Sequence, residues 1–580
     1  MDAKRKSHLP DTNPEIAALL SHLADLLEIE GANPFRVRAY RTAARFIHDL
    51  SYPVADLVHQ GEDLTQFPGI GEALASKITT LVKTGQLPSL KTLGIRVPPT
   101  LAKLLAIEGL GPKRVKALRD QLHISNINDL KRAVRQGKIA KLSGFGEKTE
   151  ALIKAGIQRI DQSGHRISLF EAEKTAERVL HFVRQIPGVK TAEIAGSFRR
   201  RQETVGDLDI LAVAHRGAAV INAFVQFADV IQVISRGTTR STVFLRTGIQ
   251  VDLRVVPAES YGAALHYFTG SKSHNIAIRK MALKKRWKVN EYGVFKGRHR
   301  IAGKTEKEFY ATFNLPYIEP ELRENRGELE AAKQHQLPTL IQLKDIRGDL
   351  HCHTNATDGQ YPLDTMVQAA AEKGYEYIAI TDHSQHLTVA HGLDKKRLLA
   401  QIKAIDRLNS KLSRIRILKA IEVDILTNGK LDLPNGLLKE LDLTVCSVHY
   451  QFTLSKEKQT ERILRAMDNP YFNILAHPTA RLIGKRDPYA LDIERLMRAA
   501  KERGCLLEIN AQPTRLDLND LHCKMAKEIG VLFVISTDTH QVNHFDFMRF
   551  GIDIARRGWL EKENVANTRS LSRLLPLLHR

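Results

Sequence analysis

Residues 193–212 read EIAGSFRRRQETVGDLDILA, and this stretch decides how the first half of the chain is expected to fold. The apolar run that begins at Leu208 predicts a β-strand, and Asp207 and Asp209, two positions apart, project from the same face of it. A second predicted strand, QVDLRVV from residue 250, carries Asp252 near its start. Three carboxylates on neighbouring strands supply the hard oxygen ligands that a pair of Mg²⁺ ions requires. A D-x-D pair alone is more often two solvent-facing aspartates at a strand end, so the surrounding residues must decide.

Those surroundings favour the metal-binding interpretation. Gly196 and Ser197, followed by Arg199 and Arg200, offer backbone N–H groups, a hydroxyl and guanidinium forks within a few residues. This combination suits a triphosphate, because guanidinium groups bind phosphate oxygens in pairs.

Three short stretches in the first 160 residues share one pattern: a glycine, an apolar residue, a second glycine and a helix-like run. Such a turn avoids a Cβ clash, and it leaves backbone N–H groups at the start of the next helix, where a phosphate binds well. One turn of this kind is usually a helix cap, but three in a basic segment indicate contact with the DNA backbone. The glycines are Gly69, Gly71, Gly109, Gly111, Gly144 and Gly146, around Ile70, Leu110 and Phe145.

These motifs resemble family X DNA polymerases. G-S-x-R-R followed by G-D-x-D is the nucleotidyltransferase signature, the YFTGSK segment at 267–272 narrows it to family X, and the similarity runs from residue 30 to about 295. The resemblance implies that Asp207 and Asp209 hold both Mg²⁺ ions and that Asp252 helps to activate the primer 3′-hydroxyl. It implies contacts with the incoming dNTP for Gly196, Ser197, Arg200, Gly206, Tyr267, Phe268, Gly270, Lys272 and Asn275.

The resemblance implies further residue roles, and the sequence departs from the family pattern at two places. Tyr267 and Phe268 would exclude a ribose 2′-hydroxyl, Arg279 would contact the template, and Lys77 falls at the position of the lyase nucleophile in some family members. A lysine on a DNA-facing helix is common without that activity, so both interpretations of Lys77 stay open. The chain has Arg201-Gln202 where the family has glycine and a small or basic residue. Lys272 replaces an acidic residue of some eukaryotic members.

From residue 345 the chain changes to short apolar runs, each followed by a loop and a helix, the pattern of repeated βα units. Strands are predicted at 348–353, 377–383, 417–424, 443–449, 472–477, 505–510 and 531–540, and six of these seven end in candidate metal ligands. Ligands at the carboxyl ends of successive parallel strands meet at one face of a barrel. Packing in a core would explain a single histidine, but it does not explain candidate metal ligands at the ends of six strands.

The second half resembles the PHP (polymerase and histidinol phosphatase) domain, a distorted seven-stranded barrel that holds three metal ions. The resemblance implies phosphoester hydrolysis, although some polymerase-attached PHP domains have lost ligands and are structural. Imidazole and carboxylate ligands without thiolate suit Mn²⁺, Zn²⁺ or Fe²⁺. All nine expected ligands are present: His351, His353, Asp358, His383, Glu422, His449, His477, Asp538 and His540.

Composition sets the class of protein. The 580 residues carry a formal charge of +22, with 43% hydrophobic and 26% charged residues, and residues 1–344 hold 53 Lys and Arg against 35 Asp and Glu. A basic excess in one part of a chain is typical of nucleic-acid binding. With four cysteines, no long apolar run and no apolar segment in the first residues, we do not expect a secreted, membrane or fibrous protein. We expect a cytoplasmic monomer without membrane contact.

The expected fold is therefore multidomain, α+β and then α/β. Residues 1–90 form a helical lyase-like domain with a helix-hairpin-helix, 91–165 helix-hairpin-helix fingers, 166–258 the palm, 259–318 a small thumb, and 345–580 a (βα)₇ barrel. Residues 319–344 are expected to be a flexible or loosely helical linker, or one surface helix at 321–334. The predicted function is repair synthesis on gapped or primed DNA, with a 3′–5′ exonuclease in the barrel. Abasic sites and 3′-phosphates are further candidate substrates of the barrel. The alternatives are a gap-binding scaffold with a structural barrel, and a nucleotidyltransferase for RNA or small molecules.

Overall fold

The structure is a computed structural model that describes residues 13–579, except 49, 51–53, 68, 85–86, 88–89, 91–92, 94–96, 98, 108–109, 143, 147–148, 155 and 158–165. The chain forms two compact units that divide after residue 166, and each is described by itself. Over the described ranges, no helix is both long enough and apolar enough to cross a membrane. No disulfide joins the four cysteines, which are all buried.

The first unit is helical. Its described helices are α1 (Asn13–Glu30), α2 (Pro34–His48), α3 (Val54–Gln60), α4 (Glu72–Thr84), α5 (Pro99–Ala102), α6 (Pro112–Leu122) and α7 (Ile127–Arg135). Their apolar faces share one core, and the residues between the paired glycines belong to it. Ile70, Leu110 and Phe145 are only 3%, 4% and 7% exposed, so each fixes its turn to the helices.

The paired glycines form tight turns that lead into helices. Gly69 and Gly144 have φ values of +88° and +80°, which glycine adopts readily. Gly111 is the N-terminal cap of α6. The carbonyls of Gly71 and Gly146 accept hydrogen bonds from the N–H groups of residues 74 and 150, as expected at helix starts. Gly109 lies outside the described residues.

The second unit begins with a palm built on one mixed sheet. Its strands are β1 (Ile167–Ser168), β2 (Val189–Ile194), β3 (Thr204–Val205), β4 (Asp207–Ala214), β5 (Val230–Arg236), β6 (Arg240–Leu245) and β7 (Gln250–Val256), and its helices are α8 (Leu169–Gln185), α9 (Gly196–Arg199) and α10 (Gly217–Phe224). Five strands pair in the order β2-β4-β7-β6-β5, and β1 pairs with β3. The two strands predicted to carry aspartates, β4 and β7, are parallel neighbours.

A small thumb follows. It contains β8 (Trp287–Asn290), β9 (Gly293–Lys296) and β10 (His299–Ala302), with α11 (Tyr261–Thr269), α12 (Lys272–Lys284), α13 (Glu306–Ala311) and α14 (Glu328–Lys333). The three strands form an antiparallel sheet in the order β10-β9-β8.

The expectation of a flexible or loosely helical linker at 319–344, or of one surface helix at 321–334, is wrong. The helix α14 covers only 328–333, and Leu322, Leu329 and Ala332 are buried in the thumb core. Arg323 is fully buried beside Glu306, with an Nη1–Oε1 distance of 2.5 Å, and Glu328 is fully buried beside His274 at 2.6 Å. The charged composition indicated solvent exposure, but these charges are paired in the interior.

The remainder is the predicted barrel. The strands β11 (Gly348–Cys352), β12 (Tyr377–Ile380), β13 (Arg416–Asp424), β14 (Leu443–Ser447), β15 (Ile474–Leu475), β16 (Leu506–Asn510) and β17 (Phe533–Ser536) alternate with the helices α15 (Leu363–Glu372), α16 (Lys395–Asn409), α17 (Asn435–Leu438), α18 (Lys456–Met467), α19 (Ile493–Glu502), α20 (Asp520–Ile529), α21 (Met548–Arg557) and α22 (Leu571–Leu578). They pair in parallel and in chain order from β11 to β17. Contacts between β11 and β17 bring the two edges together. The distorted seven-stranded barrel is thus confirmed.

Candidate active sites

The palm carboxylates come together at one end of two paired strands. Asp209 on β4 is directly opposite Asp252 on β7, and Asp207 is two residues earlier on β4. Burial, together with the charges of Asp207 and Asp252, raises the pKa of Asp209 to about 7. A bound cation would relieve this repulsion, so the three residues fit a divalent metal site.

The orientation of Asp252 is fixed by its neighbours. The hydroxyl of Thr242 donates to Oδ1 at 2.5 Å, and the Nε2 amide of Gln250 donates to Oδ2 at 2.8 Å. Both contacts come from the palm sheet, so they fix the orientation of this carboxylate before any ligand binds.

Gly196 lies directly against the carboxylate of Asp209. Its φ is +62°, and a Cβ at this position would be 2.4 Å from Oδ2 of Asp209. Only glycine satisfies both the backbone angle and the close approach. The helix α9 begins here, and Ser197 is its second residue.

The two arginines of the G-S-x-R-R motif are held by acids in the structure. Arg199 pairs with Glu306 at 2.7 Å. Arg200 donates from Nε to Glu324 at 2.9 Å and from Nη1 to the carbonyl of Thr269 at 2.5 Å. Gly206, the residue before β4, is exposed.

The sugar and base contacts predicted for the thumb start lie at the junction of α11 and α12. Tyr267 and Phe268 meet edge to face, with ring centroids 5.1 Å apart. The Nδ2 amide of Asn275 donates to the carbonyl of Tyr267 at 2.7 Å, and Arg279 is 5.2 Å from the Tyr267 ring. Lys272 is exposed at the first position of α12, and Gly270 has a φ of +68°.

Lys77 belongs to the first unit, on α4. Its Nζ donates to the carbonyl of Ala73, one turn earlier, at 3.3 Å, and the side chain is half-buried. The lyase role of Lys77 therefore stays a prediction.

The nine predicted barrel ligands converge at the carboxyl ends of the strands. Ligand atoms form three overlapping groups, each with its atoms within 4.8 Å of one another: His353, Asp358, His383 and His540; His351, His353 and Asp538; and His383, Glu422 and His449. The ninth residue, His477, joins through Glu422, with an Nε2–Oε1 distance of 3.1 Å. These overlapping groups could hold metal ions, and the three-ion arrangement that the resemblance implies stays a prediction.

Glu422 lies at the centre of the barrel site. Its Oε2 is 2.8 Å from His383 Nδ1 and 3.5 Å from His351 Nε2. Its Oε1 is 3.2 Å from His449 Nε2. Both oxygens of this carboxylate therefore lie among imidazole groups that would hold a metal ion with it.

Buried polar atoms without hydrogen bonds show that this donor set fits metal ions. Over the described residues, His351 Nε2, His353 Nε2 and Glu422 Oε2 are buried and make no hydrogen bond. Leaving such atoms unpaired costs free energy, and coordination would satisfy all three.

Two supporting residues were not predicted from the sequence. Glu508 Oε1 lies 2.7 Å from His351 Nδ1, and Asp424 Oδ1 lies 2.9 Å from His449 Nδ1. Each carboxylate fixes the ring that it contacts and directs the other nitrogen at the site. The signals were present: Asp424 follows Glu422 by two positions on one strand face, and Glu508 is on the strand that lacked a terminal ligand.

The departure at Arg201 has a structural reason. Arg201 adopts φ of +54°, the conformation that glycine favours. Its guanidinium lies between Glu173 of the palm, at 2.9 Å, and Asp553 of the barrel, at 2.6 Å. Arginine therefore keeps the loop shape while it joins the two domains.

Comparisons with known proteins agree with this division of the chain. Models of a helix-hairpin-helix domain match residues 11–87, a SAM-like helix-hairpin-helix tandem 101–159, a DNA polymerase beta palm 166–254, a DNA polymerase beta thumb 264–324 and a PHP domain 349–512. Asp538 and His540 lie beyond the last match, and the structure brings them to the same cluster.

Curated relatives extend the likeness over the whole chain. A DNA polymerase/3′-5′ exonuclease PolX from Bacillus subtilis (strain 168) is 37% identical over 570 residues, 98% of this chain and 99% of the relative. A probable phosphatase from Thermoanaerobacter sp. (strain X514) is 32% identical over 233 residues, 38% of this chain and 89% of the relative. Another from Acetivibrio thermocellus is 33% identical over 211 residues, 34% and 82% respectively. The chain belongs to the family X DNA polymerases that carry a C-terminal PHP domain.

Proposed function

We propose that this chain extends the 3′ ends of gapped or primed DNA with dNTPs at its palm, and removes nucleotides from 3′ ends at its barrel. The observation that carries the proposal is the presence of two separate carboxylate-centred sites, around Asp209 and around Glu422, in one compact unit. The full-length relative named polymerase and 3′-5′ exonuclease supports the same pairing. Filling and trimming of short gaps in base-excision repair is the setting that uses both.

At the palm, the residues divide the work of nucleotidyl transfer. Asp207 and Asp209 would hold two Mg²⁺ ions with Asp252 at one of them, and the ions supply charge neutralisation and Lewis acidity when bound. Asp252 would accept the proton of the primer 3′-hydroxyl, in the orientation that Thr242 and Gln250 fix.

The incoming dNTP would lie along α9 and the junction of α11 and α12. Ser197 and Arg200, with the N–H groups near Gly196, would bind its phosphates. Tyr267 and Phe268 would contact the sugar and exclude a ribose. Asn275 would contact the base, and Arg279 the template strand.

At the barrel, the nine ligands would hold Mn²⁺, Zn²⁺ or Fe²⁺, which suit mixed imidazole and carboxylate donors. Ions there supply Lewis acidity toward a phosphate and lower the pKa of water. Glu508 and Asp424 hold the rings of His351 and His449 in the required orientation. The structural-barrel alternative is disfavoured because the atoms of all nine ligands converge.

A second candidate activity is removal of a 3′-phosphate. It is favoured by the similarity of the barrel to proteins named probable phosphatases. A 3′-phosphorylated gap primer tests it directly, since extension would then need prior removal of the phosphate at the barrel.

The proposal is tested with a labelled primer on a one-nucleotide gap, with Mg²⁺ or Mn²⁺ and with or without dNTPs. Asp207→Ala/Asp209→Ala is expected to abolish extension only, and His351→Ala/His353→Ala to abolish 3′ shortening only. Each variant is the folding control for the other. Shortening that survives in the histidine variant and fails in the aspartate variant would contradict the barrel assignment, and efficient use of ribonucleotides would contradict the sugar contacts.

A further inference from the structure

The loop that follows α9 in the palm is held by the barrel. Residues 200–203 make this loop, and Arg201 contacts the barrel helix α21 directly. Its Nε and Nη2 donate to Oδ2 of Asp553 on α21 at 2.8 and 2.6 Å. The same Nη2 donates to Glu173 of α8 at 2.9 Å. Arg201 thus connects the two domains at the loop itself.

A second contact fixes the residues on either side of Arg201. Nη1 of Arg557, at the end of α21, donates to the carbonyl of Arg200 at 2.7 Å and to Oε1 of Glu324 at 3.1 Å. The same Glu324 oxygen accepts from Arg200 Nε at 2.9 Å and from Gln202 Nε2 at 2.6 Å. The Glu324 carboxylate therefore binds two loop residues, Arg200 and Gln202, together with Arg557 of the barrel domain.

The fourth loop residue is also paired with the barrel. Arg481 donates from Nη2 to Glu203 Oε2 at 2.6 Å. Arg557 is only 2% exposed and Arg481 9%, so these charges are largely withdrawn from water. Removing one partner of a buried pair leaves the other charge uncompensated, so breaking one of these contacts costs free energy.

The loop is tied back to the start of α9 by its own backbone. The N–H of Arg200 donates to the carbonyl of Gly196 at 3.3 Å, and the N–H of Gln202 donates to the carbonyl of Ser197 at 3.1 Å. A displacement of residues 200–203 would therefore move Ser197 and Arg200, the proposed phosphate contacts.

We propose that α21 of the PHP domain sets the position of the dNTP-binding loop of the polymerase, with Asp553 and Arg557 as positioning residues. The inference rests on the proposed function of Ser197 and Arg200 as contacts of the triphosphate. It gives the barrel a role in nucleotide binding that is independent of its nine metal ligands.

Arg556 provides a matched control for general loosening of the domain junction. It is the neighbour of Arg557 on α21 and donates to Glu321 at 2.7 Å and to the carbonyl of Ile341 at 3.1 Å. It belongs to the same junction, but its contacts avoid residues 200–203.

The experiment measures single-nucleotide gap filling by the full chain over a range of dNTP concentrations, together with 3′ shortening without dNTPs. Asp553→Asn and Arg557→Lys are expected to raise the KM for dNTP by about tenfold with kcat changed far less, since a misplaced binding group weakens ground-state binding. Shortening is expected to stay at the wild-type rate, and Arg556→Gln to leave both activities unchanged.

The outcomes distinguish a failure of this inference from a failure of the proposed function on which it rests. Wild-type KM values in Asp553→Asn and Arg557→Lys, or an equal rise in Arg556→Gln, would overturn the positioning role. A wild-type chain that extends no primer would overturn the proposed function instead. If a substitution on α21 also abolishes shortening, Arg201→Gln decides, since it breaks the contact with Asp553 from the palm side and leaves the barrel sequence unchanged: a raised KM supports the inference and an unchanged KM refutes it.

Discussion

Oε1 of Glu508 lies 2.7 Å from Nδ1 of His351, and both side chains are fully buried. The carboxylate accepts a hydrogen bond from Nδ1–H, which leaves Nε2 to bind a metal ion in the ligand cluster. The second oxygen of Glu508 accepts the backbone N–H of His477 at 2.7 Å. One residue that touches no substrate thus orients two of the nine ligands.

Substitution of Glu508 should weaken the barrel site selectively. Glu508→Gln is expected to reduce metal affinity and 3′ shortening by about 10- to 100-fold, the usual cost of losing such a partner. Metal content after gel filtration and the Mn²⁺ dependence of shortening measure it. Glu502→Gln, on the exposed surface of α19, is the control, and gap extension should stay unchanged in both variants.

Gly196→Ala should abolish gap extension, because its Cβ would lie 2.4 Å from Asp209 Oδ2. Gly248→Ala is the matched control: Gly248 has a φ of +83° in the same palm, but nothing lies within 4 Å of a Cβ there. Both variants carry the backbone strain of about 1–2 kcal/mol, and only one carries the clash. Equal rates of extension in the two variants would refute the close approach.

Metal ions should stabilise the barrel directly. Adding Mn²⁺ to the metal-stripped protein at about 100 times its Kd is expected to add about 2.7 kcal/mol, visible as a higher Tm. His351→Ala/His353→Ala should lose that increase, since these rings belong to the overlapping ligand groups. An increase retained in this variant would place the stabilising ion elsewhere.

The buried acid of the thumb predicts a loss of stability in acid. Burial raises the pKa of Glu306, but Arg323 and Arg199 outweigh it and lower the pKa to about 2, from 4.5 in the unfolded chain. The folded state therefore binds fewer protons than the unfolded state in that interval. A contribution on the order of 3 kcal/mol is complete above pH 4.5 and is lost as the pH falls toward 2.

Thermal unfolding of the full chain across this interval measures the effect. Glu306→Gln is expected to lower the Tm at pH 7 and to flatten its fall in acid. Glu330→Gln, whose ion pair with Lys333 is exposed, should follow the wild type, because such pairs contribute less than about 1 kcal/mol. A wild-type pH dependence in Glu306→Gln would contradict the assigned pKa.

The barrel and its ligands were largely predictable because parallel βα units impose a rigid geometry. A side chain at the carboxyl end of any strand must lie at the same face of the barrel. Glu422 and Asp538 could therefore be assigned to one site from the sequence alone. Six of the seven observed strands are shorter than predicted, and β17 ends at Ser536, before Asp538 and His540. At those positions the chain has left the ladder, and Asp538 has a φ of +50°.

The contacts between domains could not be predicted. Arg201 and Asp553 are 352 positions apart, and no periodicity connects them. Charge patterning also misled the interpretation of 319–344, because composition does not distinguish a solvated glutamate from Glu324, which is held by Arg200 and Arg557. Burial of a charge depends on a partner that only the folded chain supplies.

The contacts between the barrel domain and residues 200–203 limit how the two activities can be studied in separate fragments. A fragment that stops before the barrel would leave Arg201 and Glu203 without Asp553 and Arg481. Slow synthesis by such a fragment would then result from a displaced dNTP-binding loop, not from the loss of 3′ shortening. Variants that separate the two activities should therefore be single substitutions among the barrel ligands, because these leave the contacts of residues 200–203 intact.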